Sequence, residues 1–65
     1  MRIKTWEARI EKNYTLTKLA SKTGISKSTL NNIENGRTSP TLRQLELIAK
    51  ALNCRITDLF ESDYK

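Results

Sequence analysis

The chain has 65 residues, and 12 Lys and Arg against seven Asp and Glu give it a formal net charge of +5. This length leaves room for one domain spanning 1–65, with an economical core, because so short a chain buries only about 60% of its unfolded surface. No apolar run approaches the roughly 20 residues of a membrane-spanning helix, so we expect no membrane association. One cysteine and no histidine exclude a disulfide framework and a zinc cluster, and they favour a reducing cytoplasm.

The composition also argues against catalysis. Without histidine the chain has no Ser–His or Cys–His pair. Its carboxylates form no tight sequence cluster suited to Mg²⁺ or to acid–base chemistry. The only glycines, Gly24 and Gly36, cannot form a Gly-rich phosphate loop. We therefore predict no enzymatic activity, no cofactor and no metal.

Helix-terminating and helix-capping residues recur along the chain, and no apolar alternation bounded by turns indicates a strand. Left-handed helix ends are expected at Asn13, Gly24, Gly36 and Asn53. Thr15, Ser26 and Thr41 stand where helices should begin, and Gln44 gives Thr41 the spacing of a capping box. These signals predict an all-α fold of five short helices at Ile3–Lys12, Leu16–Thr23, Lys27–Asn35, Leu42–Leu52 and Ile56–Glu61.

Apolar residues at helical spacing predict the core of this fold. The fourth helix carries an apolar stripe of Leu42, Leu45, Ile48, Ala49 and Leu52. The second and third helices contribute Leu19, Ala20, Leu30 and Ile33. In the first helix we expect Ile10 in the core, whereas Trp6 fits packing, a partner surface or partial exposure equally well.

Positive charge is concentrated in the first two thirds of the chain. Residues 1–45 carry nine basic and three acidic side chains, whereas residues 46–65 carry three and four. Between Lys12 and Arg43 the only acid is Glu34. Such a segment suits nucleic acid, an anionic membrane or an acidic protein, and a merely solvated surface is equally compatible with charge alone.

Residues 16–35 have the pattern of a helix-turn-helix, two short helices joined by a turn that contains Gly24. Ser26 caps the second of these helices. Its first exposed residues are then Lys27, Ser28 and Thr29, followed a turn later by Asn31 and Asn32. These side chains carry the donors and acceptors that suit base edges in a DNA major groove.

Several motifs in this order resemble the phage repressor/Cro-type helix-turn-helix family, also called the xenobiotic-response-element family. They are Leu19-Ala20, Gly24-Ile25-Ser26, Ile33-Glu34-Asn35-Gly36-Arg37, Pro40-Thr41-Leu42 and Leu47-Ile48-Ala49-Lys50-Ala51-Leu52. The resemblance covers roughly residues 5–60. It implies a five-helix, lambda-repressor-like domain that binds a double-stranded DNA operator, as a homodimer, and regulates transcription, most simply as a repressor.

The resemblance and the residue types together define a candidate interface. The expected base contacts are Ser26, Lys27, Ser28, Asn31 and Asn32. The expected contacts to the DNA backbone are Thr15, Thr17, Lys22, Asn35, Arg37, Thr41 and Arg43. By the same resemblance, Arg9 and Glu34 match a structural ion pair. Lys12 and Lys18 are further phosphate candidates on charge alone.

The chain departs from the family pattern at two places. Relatives often begin the second helix with a Gln that holds a phosphate, and Leu16 stands at that position here. Thr15 or Thr17 could replace this contact through a hydroxyl or a backbone N–H. Relatives also tend to have aliphatic residues where this chain has Thr5 and Ala8.

The C-terminal residues Ile56, Leu59, Phe60 and Tyr64 form a second apolar stripe, of which we expect one part to close the core and the rest to form a twofold interface. The alternative function is an antitoxin or another protein-interaction module that binds a partner protein through this stripe or Trp6. Cys54 is expected to be a small apolar residue rather than a redox sensor.

Overall fold

A computed structural model describes residues 1–65 as four α-helices, a short 3₁₀ turn and a two-stranded antiparallel ladder. In chain order the elements are β1 (Arg2–Ile3), α1 (Thr5–Glu11), α2 (Leu16–Thr23), α3 (Lys27–Glu34), α4 (Leu42–Leu52), the 3₁₀ turn η1 (Ile56–Leu59) and β2 (Phe60–Glu61). The predicted bounds of α2 and α4 are confirmed, and α3 ends one residue earlier than predicted. No helix has both the length and the apolar character required to cross a membrane.

Local capping chemistry explains where these helices begin and end. The hydroxyls of Thr15, Ser26 and Thr41 each accept a hydrogen bond from the backbone N–H three residues later. Thr41 and Gln44 form the predicted capping box. All four predicted left-handed positions have a positive φ, namely Asn13, Gly24, Gly36 and Asn53. These caps satisfy backbone groups that a short helix otherwise leaves unpaired.

The two ends of the chain differ from the prediction. The predicted first helix, Ile3–Lys12, spans only Thr5–Glu11, and the predicted fifth helix, Ile56–Glu61, is a 3₁₀ turn over Ile56–Leu59. Ile3 pairs instead with Phe60, and Arg2 with Glu61, in the β1–β2 ladder. Each strand has two residues, which is too short to show an alternating pattern. The pairing joins opposite ends of the chain, so no local signal reports it. The Lys4 N–H continues the ladder by donating to the Leu59 carbonyl at 2.8 Å.

One apolar cluster holds the helices together. It contains Leu19, Leu30, Leu45, Ile48, Ala49, Leu52 and Leu59, and Ile33 is buried as well. The predicted core contributions of α2 and α3 are therefore confirmed, with Ala20 packed at the margin of the cluster.

Two residues predicted to face the core are exposed. Leu42 is 77% exposed because it begins α4 and lies one turn before the packed part of its stripe. Ile10 is 45% exposed, since α1 turns Thr5 and Arg9 inward and Ile10 lies about 100° further round the helix. Trp6 shares this outer position and is half exposed.

Candidate nucleic-acid interface

The turn between α2 and α3 is held by backbone geometry and by one buried hydroxyl. Gly24 ends α2 with φ of 74°, a conformation that glycine adopts without strain. The buried Thr23 hydroxyl donates to the Leu19 carbonyl at 2.8 Å and accepts the Ile25 N–H at 3.1 Å. Sequence reasoning missed this role of Thr23. Its only signal is a hydroxyl residue placed directly before the helix-ending glycine.

Helix α3 divides into a buried and an exposed face. Leu30 and Ile33 anchor it in the core. Lys27, Ser28 and Asn31 are exposed, and Asn32 is half-buried. The side chains of Lys27, Ser28 and Asn32 make no hydrogen bond within the chain, so their polar groups remain available to a ligand.

Ser26 and Asn31 are partly engaged inside the protein. The Ser26 hydroxyl accepts the Thr29 N–H at 3.1 Å and donates to the Thr29 Oγ1 at 2.9 Å. Asn31 accepts a 3.3 Å hydrogen bond from the Asn35 side chain, which links the exposed face of α3 to the residue that follows it. Ser26 therefore serves first as a helix cap, and Asn35 is oriented by Asn31.

Arg9 and Glu34 form a bidentate ion pair between α1 and the end of α3. The Arg9 Nε lies 2.7 Å from the Glu34 Oε2, and its Nη2 lies 3.0 Å from the Oε1. The third guanidinium nitrogen, Nη1, donates to the Tyr14 carbonyl at 2.8 Å. Both side chains are at most 10% exposed. The pair thus holds the end of α3 against α1. It also leaves the Glu34 carboxylate paired rather than free near the exposed face of α3.

The remaining charge on this part of the chain is positive and uncompensated. The five Lys and Arg between positions 13 and 43 are all exposed, and none of them forms an ion pair, namely Lys18, Lys22, Lys27, Arg37 and Arg43. Lys18 lies over the Tyr14 ring, with its Nζ 4.3 Å from the ring centre. An anionic ligand here would meet cations without carboxylate competition.

The predicted backbone-contact residues fall into two structural groups. Thr15 and Thr41 cap α2 and α4, so their hydroxyl oxygens already accept a backbone N–H. The others are exposed side chains, namely Thr17, Lys22, Asn35, Arg37 and Arg43. Leu16 is half-buried against the core. Its apolar contact accounts for a leucine at this position.

Most of the C-terminal apolar stripe packs in or against the core. Leu59 is completely buried and is the part of the stripe that closes the core. Ile56 and Phe60 are half-buried and pack against the core cluster. Tyr64 is 98% exposed. Only Tyr64 and the outer parts of Ile56 and Phe60 remain free for a partner.

Cys54 lies in a half-buried position beside acidic residues. Burial raises the pKa of its thiol, Asp58 and Glu11 raise it further, and Lys12 partly opposes them. Because the thiolate is the nucleophile, we expect iodoacetamide to alkylate Cys54 at pH 8 more slowly than it alkylates the same protein unfolded in urea. Alkylation at equal rates in both states would contradict this expectation. No group of three His, Cys, Asp or Glu side chains is placed to hold a metal ion.

The fold and this site define a helix-turn-helix protein, and comparison with known proteins gives the family. The sequence profile of a family described as helix-turn-helix matches residues 7–59. The chain belongs to this Cro/C1-type helix-turn-helix family.

Individual relatives agree with this membership. The chain is 38% identical over 63 residues to an uncharacterized HTH-type transcriptional regulator of Archaeoglobus fulgidus, which covers 97% of this chain and 90% of that protein. It is 37% identical over 58 residues to the HTH-type transcriptional regulator SinR of Bacillus subtilis, covering 88% of this chain and 52% of SinR. The chain thus spans about half the length of SinR.

The fold is also similar to a solved structure, the N-terminal DNA-binding domain of SinR from Bacillus subtilis. The TM-score is 0.80 at 31% sequence identity, and the match covers 94% of this chain and 90% of that domain. The similarity therefore extends over nearly the whole of both chains.

Proposed function

We propose that this protein is a cytoplasmic transcriptional regulator that binds double-stranded DNA sequence-specifically, with α3 in the major groove. One observation carries the proposal. The exposed face of α3 offers unbonded polar side chains, and every cation between positions 13 and 43 lacks a carboxylate partner while the only acid, Glu34, is buried against Arg9. The relatives named as transcriptional regulators support the same function.

Base reading in this proposal rests on Lys27, Ser28, Asn31 and Asn32. Asn32 is the leading residue, because a side-chain amide can bond bidentately to adenine and this amide has no partner in the chain. Lys27 can donate to guanine O6 and N7 or to a phosphate. Ser26 contributes less, since its hydroxyl caps α3.

Phosphate contacts would fix α3 in the groove. We assign them to Thr17, Lys22, Asn35, Arg37 and Arg43, together with backbone N–H groups at the capped ends beside Thr15 and Thr41. The loop after α3 is well placed for this role. The Arg37 N–H donates to the Asn32 carbonyl at 2.9 Å, so this hydrogen bond holds the backbone from which the exposed Arg37 side chain extends.

Salt dependence separates phosphate contacts from solvated charges. We expect Arg37→Ala to weaken binding to all duplexes and to reduce the slope of log K against log salt by about one unit, because one fewer counterion is released. The measurement is a fluorescence-anisotropy titration at several salt concentrations. Lys50→Ala is the matched control, since it removes one exposed charge from the last turn of α4. An equal change of slope in both variants would contradict the assignment.

The proposal includes a homodimer on a pseudo-palindromic operator that represses by occluding the promoter. Two copies related by a twofold axis would place their α3 helices about 34 Å apart, one turn of B-DNA. Tyr64 and the outer parts of Ile56 and Phe60 are the surface available for such an interface.

Selection of bound duplexes from a random pool tests the function directly. We expect a conserved site with two related half-sites, bound more tightly than random duplex. Amide chemical shifts should change on α3 and in the loop after it when this DNA is added. Equal affinity for every duplex, or shifts confined to another face, would overturn the proposal.

A further inference from the structure

Tyr14 lies between α1 and α2, and Arg9 holds it by both of its backbone groups. The Tyr14 N–H donates to the Arg9 carbonyl at 3.1 Å, and the Tyr14 carbonyl accepts the Arg9 Nη1 at 2.8 Å. The tyrosine side chain is half-buried and packs against the core cluster. Because the same guanidinium binds Glu34 at the end of α3, the position of Tyr14 is fixed relative to α3.

The Lys18 ammonium is held over the Tyr14 ring. Its Nζ lies 4.3 Å from the ring centre, which is within the range of a cation–π interaction. The Lys18 N–H donates to the Thr15 hydroxyl at 3.0 Å, so both ends of this lysine are fixed. A free lysine on a protein surface keeps many rotamers and loses that freedom only when it binds.

No carboxylate of the chain neutralises this cation. In the other cation–ring pair, Lys65 lies over Phe60 and is also 3.5 Å from the Glu61 carboxylate. Lys18 forms no ion pair, and the first turn of α2 contains no acidic residue. A cation in the first turn also opposes the helix dipole. The lysine is thus held in place with an aromatic partner only, an arrangement that favours an anion from outside the chain.

Lys18 borders the proposed phosphate contacts of α2. It is exposed and belongs to the same helix as Thr17 and Lys22, which are both assigned to the DNA backbone. An ammonium has three donors, so a phosphate can accept one of them while the ring covers another side. Because the side chain is already ordered, the contact costs less side-chain entropy than one from a free lysine.

We propose that Tyr14 is a positioning residue for DNA binding, whose ring presents the Lys18 ammonium to a backbone phosphate. This assignment rests on the proposed function, since it concerns the same interface. The competing role for Tyr14 is structural only, namely apolar packing where α1 meets α2. The two roles differ in whether the effect of Tyr14 on DNA affinity depends on Lys18.

The first test uses the free protein and no DNA. The ring should move the resonances of the Lys18 ε-CH₂ protons upfield of those of Lys22, which has no aromatic partner. We expect this shift to persist in Tyr14→Phe, which keeps the ring, and to disappear in Tyr14→Leu, which keeps only apolar bulk. Unshifted Lys18 protons in the parent would overturn the proposal.

The second test is a double-mutant cycle on affinity for the operator selected from the random pool. We expect Tyr14→Leu to weaken binding about two- to tenfold, the ordering cost of one long side chain, and Tyr14→Phe to recover the affinity. In a Lys18→Ala background, Tyr14→Leu should have no further effect. Lys22→Ala is the matched background on α2, in which Tyr14→Leu should weaken binding by its full factor.

Three results would contradict the assignment. Equal losses from Tyr14→Leu in the parent and in the Lys18→Ala background would show that Tyr14 acts only through packing. An unchanged salt slope in Lys18→Ala would show that no phosphate contact is lost, since one contact is worth about one unit of slope. A parent that binds no duplex would overturn the proposed function and this assignment together, whereas the first two results leave DNA binding intact.

If Tyr14→Leu does not fold, the unaltered protein still decides the question. On addition of operator DNA, the Lys18 Nζ resonance should shift while the ε-CH₂ protons keep their upfield position. Loss of that upfield position on binding would mean that the lysine leaves the ring to reach DNA, and it would overturn the proposal. Lys50, in the last turn of α4, is the control resonance that should not shift.

Discussion

Glu34→Ala is expected to lower the free energy of unfolding by about 3–5 kcal/mol, because it leaves the Arg9 guanidinium buried without its counter-charge. Arg9 loses both of its hydrogen bonds to the carboxylate and keeps only the bond to the Tyr14 carbonyl. Urea unfolding followed by circular dichroism measures the loss. For a domain of this size, it corresponds to a marginally folded or unfolded protein.

The exposed pair Arg2–Glu7 provides the control for this prediction. Its oxygen and nitrogen approach to 2.6 Å, but both side chains are well exposed to water, and such pairs contribute about 0–1 kcal/mol. Arg2→Ala should therefore cost far less than Glu34→Ala. Equal losses in the two variants would show that burial of the Arg9–Glu34 pair is not what makes it important.

Asn32→Ala is expected to reduce discrimination between the selected operator and a site altered at one adenine by about 1–3 kcal/mol, the worth of one bidentate base contact. Affinity for random duplex should change little, because phosphate contacts supply most nonspecific binding. Gel-shift titrations with both duplexes measure the two affinities separately.

Thr57→Ala serves as the control because it changes an exposed polar residue of η1. It should leave the affinities for the operator and for the altered site unchanged. Thermal unfolding of the Asn32 variant checks that α3 remains folded, since this residue is half-buried. If specific and random duplexes are bound by the variant with the same ratio as by the parent, base reading must lie elsewhere on α3.

Helix α3 and the Arg9–Glu34 pair could be predicted from the sequence because their signals are local or are carried by distinctive residue types. Ser26 indicates the start of α3, and Gly24 indicates the turn before it. Glu34, the only acid in a basic stretch, required a cation, and the family resemblance pointed to Arg9. The hydrogen bonds of Thr23 could not be predicted, because in the sequence a buried threonine at a helix end looks the same as any other helical threonine.

By itself, the sequence determined the helix-turn-helix, the bounds of α2 and α4, and the excess of positive charge. Capping side chains and left-handed residues act on backbone groups within three or four positions, so neighbouring residues suffice to predict them. Only the tertiary structure decided that the chain ends pair as strands and that Leu59 is buried while Ile10 and Leu42 are exposed. These features depend on which distant segments come together when the core forms. Because hydrophobic burial is non-directional, the sequence alone does not show which segments will meet.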